Sequence, residues 1–432
     1  MKTVGIIAEY NPFHNGHLYQ MLEARKRAEA DYVVVVMSGD FVQRGDPALL
    51  DKWVRARMAL DAGADLVLEL PVRSACASAE YFAQTGVSML SSLGAVDAIS
   101  FGYESIALQG GVDLGSLIQT DLRPLQEAAA FFSREETKEY REQLKKRLGS
   151  GLTYAKARMD AYLNMSGNEV PAELLSSPNN ILAIEYLKAL IRLNSSMEVI
   201  PVPRTGAGYH DMKLPGHSAA EHPASASADD PASALASTSA VLPASASAIR
   251  AAIARQEDVS AHMPGTALRL MTEEIRARRA LVPSDLDLPL HDALLRNADH
   301  LEEYLDVSPD LANRIRAQLG EYTGFESFAA RLKTRQVTLT RIKRSLMHIL
   351  LDLRQGDGEA QYARVLGFRR SAGELLHQIS ERSSIPLITK LPQDPPQALR
   401  EDLFAARLWE MVVCHKTGQP VRNEYQRQIV IV

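Results

Sequence analysis

The chain has 432 residues, of which 46% are hydrophobic and 23% charged, and a formal net charge of −5. That length allows roughly two to three domains with a sizeable core, and that charge excludes a globally basic nucleic-acid binder while leaving room for a local basic patch. Its two cysteines, Cys76 and Cys414, stand far apart without metal-type spacing, which reads as a reducing, cytoplasmic protein and speaks against a zinc site.

The opening text, MKTVGIIAEYNP, carries an apolar run too short for a signal peptide and interrupted by Glu9. No later stretch approaches a membrane span, so no membrane partner is expected. The first third alternates. TVGIIAEY reads as a buried strand, GHLYQMLEARKRAEA as a helix and DYVVVVMSGD as a strand. KWVRARMALDAG is a helix with a glycine stop, ADLVLELP a strand, ASAEYFAQTGVSMLSSLG a helix and VDAISFGYES a strand. Short β-rich runs separated by helical patterns of this length predict βαβ units and a parallel sheet. From Ser116 to Leu163 the text is mostly polar helix, then SPNNILAIEYLKALIRL predicts another helix, and MEVIPVPRTGAGYHD the last strand with its exit loop. Residues 217–243 are almost all Ala, Ser, Pro and Asp and read as a flexible loop. Order is expected again at SASAIRAAIARQ, a helix start with serines placed to cap it, and the remainder is helix-rich.

The segment NPFHNGH sits where the first strand ends and the first helix begins. In a parallel sheet ligands lie at the carboxyl ends of strands, and helix N-termini offer free N–H groups to anions. Gly16 permits close approach of a phosphate, and His14 and His17, three apart on one helix face, can both donate to phosphate oxygens. Fixed donors there suit attack at the α-phosphate of a nucleoside triphosphate, where charge grows on the phosphoryl oxygens and the leaving pyrophosphate. The bland alternative is a helix cap with incidental histidines. A metal site is not expected, because the loop supplies no carboxylate partner in ligand spacing.

This segment resembles the H-x-G-H signature of the nucleotidylyltransferase superfamily. Together with VMSGDFVQRGDPALLDKWVRARMAL, DLVLELP, SPNNILAIEYLKAL, GAGYHD and SASAIR, the text resembles the bacterial tRNA-Met cytidine acetate ligase family. The resemblance is specific from about Met1 to Arg250 and looser beyond. It implies an α/β fold: a Rossmann-like parallel-sheet nucleotidylyltransferase domain followed by a helix-rich C-terminal region. The implied division is an ATP-binding domain over 1–216, the loop 217–243, and a helical tRNA-binding region over 244–432. It implies that ATP, with Mg2+ on the triphosphate, and acetate give acetyl-adenylate, and that the acetyl group passes to N4 of the wobble cytidine of elongator tRNA-Met.

Carried over by matching motif, the resemblance places Ile7, Ala8, Glu9, Tyr10, Asn11, Pro12, Phe13, His14, Asn15, Gly16, His17, Leu18, Tyr19 and Gln20 along the ATP site, with His14 and His17 catalytic at the phosphates. Gly102 follows a strand end, where the adenosine would lie; its plain reading is a turn glycine. Asn179 or Asn180 would contact the nucleotide; a helix N-cap is the alternative. Arg204 would reach phosphate or ribose, or else be a solvated loop arginine. Ser245, Ser247 and Arg250 resemble the serine-rich helix start that meets the β- and γ-phosphates, although Ala248 stands where a hydroxyl residue is common. Asp40, Gln43 and Arg44 of SGDFVQRG are near enough to touch acetate or cytidine, but read most simply as a solvated loop.

For RNA, a helix from Thr340 puts Ile342, Leu346, Ile349 and Leu350 on one face and Arg341, Arg344 and His348 on the opposite one. That stripe would offer cations to phosphates, or be an ordinary solvated face. Arg364, Arg369 and Arg370, near Phe368, form a second candidate contact. Two rival functions share the ATP loop: the acetate ligase acting on tRNA, and a nucleotidylyltransferase acting on a small phosphorylated metabolite. The long helical C-terminal half favours a macromolecular acceptor. A non-catalytic nucleotide sensor has no need of paired transition-state donors.

Overall fold

The computed structural model describes residues 1–105, 114–134, 136–167, 175–204, 244–356 and 362–432, with the side chains of 114–121 excepted. The loop expected over 217–243 and the GAGYHD motif lie outside the described residues. Ten strands are described: β1 (Thr3–Ala8), β2 (Tyr32–Ser38), β3 (Phe41–Val42), β4 (Asp46–Pro47), β5 (Leu66–Leu70), β6 (Ala98–Tyr103), β7 (Glu198–Pro203), β8 (Ala363–Phe368), β9 (Leu387–Ile388) and β10 (Val430–Ile431). The main sheet runs β10-β8-β5-β2-β1-β6-β7, with β9 beside β8, and β3 and β4 make a small separate hairpin.

The five strands legible in the text, β1, β2, β5, β6 and β7, are all parallel neighbours, with Val4 opposite Val33 and Ala98 and with Ile99 opposite Val199. β1, β2 and β5 are Val/Ile/Leu-rich runs covered on both faces, as parallel strands require, and β6 is almost as deeply buried. β7 is not the last strand, and the sheet is mixed, because β8 pairs antiparallel with β5. VLGF is a run too short to be told from a helix segment by its period, so nothing in the text marks it as a strand. The C-terminal region therefore completes the sheet as well as packing helices around it. A boundary at 217–243 does not separate sheet from helices.

Two apolar cores lie on the two faces of the sheet. One gathers Ile7, Val34, Phe82, Phe101 and Tyr186 under the helices Ala79–Ser92 and Pro178–Arg192. The other gathers Ile6, Val35, Phe13, Leu18 and Ile249 under Asn15–Ala28, Lys52–Asp61 and Ala246–Ala254. A third core joins the C-terminal helices to Phe41, Val72 and Cys76.

A buried ionic network ties the halves together. Lys52, with no exposure, places Nζ 2.9 Å from Glu69, 3.1 Å from Glu424 and 3.5 Å from Asp40. Arg364 closes it, bonding Glu69 at 2.9 Å and Glu424 at 2.5 Å. Five charges are taken out of water together, and opposite charge offsets the cost of their desolvation, so removing one partner would leave the others uncompensated. Arg364 is thus structural, and its place as an RNA contact is withdrawn: a side chain 3% exposed cannot reach a phosphate. Asp40 is likewise no solvated loop residue; burial raises its carboxyl to about 6.

Candidate active site

β1 ends at Ala8, and the helix Asn15–Ala28 begins one short loop later. His14 is its N-cap. The Gly16 N–H donates to His14 Nδ1 at 3.0 Å, and the His14 N–H donates to His17 Nδ1 at 3.3 Å. Each ring therefore uses Nδ1 as an acceptor, and its single proton sits on Nε2. Helix capping and tautomer choice are one arrangement. The rings stack with centroids 3.7 Å apart. Burial, then the neighbouring His17 and Arg204, keep His14 far below the usual imidazole range; burial and then Arg204 hold His17 down to about 3. Both histidines are thus neutral donors through Nε2–H, and the positive charge at the site comes from arginines.

Those arginines come from three places. Arg204, just past β7, donates to Asn179 Oδ1 at 3.2 Å, and Asn179 donates to Glu104 at 2.6 Å. Arg250, one turn into Ala246–Ala254, donates to the Asn11 carbonyl at 2.5 Å and to Ser247 Oγ at 3.3 Å. Arg44 stands on the loop after β3. These side chains surround a single cavity at the carboxyl end of the sheet. It brings together Ile7, Ala8, Glu9, Tyr10, Asn11, His14, Gly16, His17, Tyr19, Gln20, Gly102, Asn179, Arg204, Ser245, Ser247 and Arg250, all placed there by sequence reading.

Pro12, Phe13, Asn15, Leu18 and Asn180 are not among its lining residues. Phe13 and Leu18 belong to the core under the first helix, where they support the loop from behind. Asn15 donates to the Ala261 carbonyl at 3.0 Å. Asn180 accepts from the Glu104 N–H and donates to the Glu104 carbonyl, each at 2.9 Å, and so fixes the chain as it leaves β6. The N-cap of that helix is Ser177, so capping is the task of neither asparagine. Ser245 caps its own helix, accepting from Ala248 N at 3.1 Å.

Sequence reading missed the cavity's apolar wall: Phe82, Phe101, Leu182 and Tyr186. Their signal in the text is ordinary core spacing. It also missed Arg55, which is fully buried and donates to the carbonyls of Glu9 at 2.7 Å, Ser38 at 3.0 Å and Leu50 at 3.0 Å, pinning the ends of β1 and β2. Gln43 and Arg44 do line the cavity, not bulk solvent.

The expected RNA stripe is corrected. Ile342, Leu346, Ile349 and Leu350 are buried as the period predicts. But His348 is buried too, bonded to the Leu305 carbonyl at 2.8 Å and the Cys76 carbonyl at 2.6 Å. Arg344 is 14% exposed and faces Asp306 at 3.7 Å. Helix Leu339–Leu350 is wedged against the β3–β4 hairpin: a Cβ on Gly45, whose φ is +75°, would lie 2.5 Å from the backbone at Lys343 and Arg344. Arg369 donates to the Leu60 carbonyl at 2.7 Å. Arg341 is half-buried and Arg370 exposed.

A family model described as HIGH Nucleotidyl Transferase matches residues 1–229 and 232–424. A tRNA(Met) cytidine acetate ligase of Acetivibrio thermocellus is 36% identical over 449 residues, covering 100% of both chains. The chain belongs to the tRNA(Met) cytidine acetate ligase family. Another member, from Caldanaerobacter subterraneus subsp. tengcongensis, is 36% identical over 95% of both chains. Among solved structures, Thermotoga maritima TmcAL bound with alpha-thio ATP superposes with a TM-score of 0.81 at 26% identity, over 100% of this chain and 99% of that one. Its apo form gives a TM-score of 0.83. The family and its nucleotidyl transferase fold agree with what the opening loop implies.

Proposed function

We propose that the chain is an ATP-dependent ligase that joins acetate to ATP as acetyl-adenylate and passes the acetyl group to N4 of the wobble cytidine of elongator tRNA-Met. The observation that carries this is the pair of neutral Nε2–H donors, His14 and His17, set among Arg204, Arg250 and the serine-capped helix start at one cavity. An acetate oxygen attacks the α-phosphorus, the bond to pyrophosphate breaks, and charge grows on oxygens that fixed donors already face. Neutral donors do this without trapping the triphosphate as an imidazolium pair would. Magnesium would enter with the triphosphate as part of the substrate. Among the described residues no helix is long and apolar enough to cross a membrane, and the cytoplasm is the compartment that suits a tRNA substrate. For the tRNA, Arg341 and Arg370 are the proposed phosphate contacts that retain exposure; Arg344 and Arg369 would act by holding the surface in place.

ATP–pyrophosphate exchange measured with and without acetate, in the absence of RNA, tests the reading. Exchange that requires acetate supports it. Exchange that ignores acetate and answers to a phosphorylated metabolite would sink it in favour of a small-molecule nucleotidylyltransferase.

A further inference from the structure

The cavity's lining has two chemically different parts, drawn from elements on opposite faces of the sheet. His14, His17, Ser245, Ser247 and Arg250 lie with the helices Asn15–Ala28 and Ala246–Ala254. Ile7, Phe82, Phe101 and Tyr186 line it from the other core, with the Phe101 and Tyr186 ring centroids 5.5 Å apart. A triphosphate belongs with the histidines, serines and arginines of the lining, and the hydrocarbon and rings offer it nothing. A flat aromatic wall at a polar edge suits an unstacked base.

Glu9 stands just past the end of β1 and lines the same cavity. One carboxylate oxygen accepts from the Gln43 N–H at 2.8 Å. Its other oxygen makes no hydrogen bond among the described residues, although Glu9 lines the cavity. Arg44, Arg55 and Arg250 are near enough to act on its charge, and Tyr186 near enough to feel it. An amide oxygen would serve the Gln43 bond as well, so that bond does not by itself call for a carboxylate at this place.

We propose that Glu9 accepts a hydrogen bond from the N4 amine of the acceptor cytosine, seated against Phe82, Phe101 and Tyr186, and takes its proton during acetyl transfer; this rests on the reading above. The N4 nitrogen attacks the acetyl carbonyl carbon and the C–N bond forms. The bond from that carbon to the adenylate phosphate oxygen breaks, AMP leaves with the electron pair, and the N4 proton passes to the Glu9 carboxylate. A carboxylate is the side chain that pairs with a cytosine amine. Burial raises the Glu9 carboxyl above the usual carboxylate range, against the opposing pull of the Gln43 N–H and the arginines, which makes it a better proton acceptor.

The test compares wild type, Glu9→Gln and Glu9→Asp in two assays: acetate-dependent pyrophosphate exchange, and single-turnover acetylation of a tRNA-Met transcript. Glutamine keeps an oxygen for the Gln43 N–H, so the loop is held while the base is lost. Transfer by Glu9→Gln is expected to fall about 100-fold, and at least about tenfold further than exchange. Glu9→Asp should recover part of it. Equal loss in both assays would place Glu9 on ATP and overturn the proposal. So would undiminished transfer by Glu9→Gln, or an aspartate variant no better than the glutamine one. A wild type unable to acetylate the transcript overturns the functional reading and this inference together; an active wild type with an indifferent Glu9→Gln overturns the inference alone.

Discussion

The His14 backbone N–H donates to Nδ1 of His17 at 3.3 Å, and the His14 side chain in turn caps the helix through Gly16 at 3.0 Å. The same two contacts that start the helix also choose which ring nitrogen carries the proton. Catalysis and folding are therefore coupled at this pair, and a substitution has to separate them to be informative.

Asparagine separates them. His14→Asn keeps a cap acceptor for the Gly16 N–H but removes the Nε2–H donor. Exchange should fall on the order of 100-fold, the cost of one donor to developing charge, with thermal stability close to wild type. His14→Ala loses the donor and also the cap, and should give up about 1 kcal/mol of stability as well. Exchange at the wild-type rate in His14→Asn would remove His14 from the chemistry.

The depressed histidines also predict a pH dependence of stability. In the unfolded chain each imidazole binds a proton near its ordinary value of about 6.5. In the folded chain His17 does so only at about 3. Between those values the unfolded state holds more protons, so stability falls as pH falls through this window, and is unaffected above it. By pH 5.5 His17 should cost on the order of 1 kcal/mol relative to pH 7.5. Denaturant unfolding of wild type and His17→Asn at both pH values measures this, because groups remote from the pair cancel, leaving His17 and its effect on the stacked His14 ring. The wild type should lose more stability on acidification; parallel losses in the two proteins would show that His17 is not buried as a neutral ring.

How far the text reveals this site depends on how local each signal is. The strand–loop–helix junction around His14 is read from fewer than twenty consecutive residues, and Gly102, Arg204 and Arg250 lie beside elements that periodicity finds. The aromatic wall is different. Phe82, Phe101 and Tyr186 occupy normal core positions of a helix, a strand and a helix, and only packing makes them face a cavity. Glu9, Arg44 and Arg55 acquire meaning from partners far along the chain. So does β8: Leu68 pairs with Val365, a register that no local pattern can announce. The basic stripe failed for the converse reason. Helical spacing puts Arg344 and His348 opposite an apolar face, but the β3–β4 hairpin and the Cys76 carbonyl cover that side as well.

That correction sets apart two arginines which look equivalent in the text. Arg344 is tucked against Asp306, with 14% of its side chain exposed. Reversing its charge would put two carboxylates together in a site held largely away from water. Arg344→Glu should therefore cost ~3 kcal/mol, and exchange and tRNA acetylation should decline together as folded protein is lost. Arg341, one turn before the residues that meet Gly45, retains exposure. If it touches a tRNA phosphate, Arg341→Glu should keep its melting temperature near wild type and lower transfer far more than exchange. The salt dependence of tRNA binding should become shallower by about one contact, since one fewer counterion is released. Melting curves, exchange and tRNA binding across a salt series, on the two single variants, make the comparison. An unchanged salt slope in Arg341→Glu would move the tRNA off this helix, with exposed Arg370 beyond β8 as the next position to reverse.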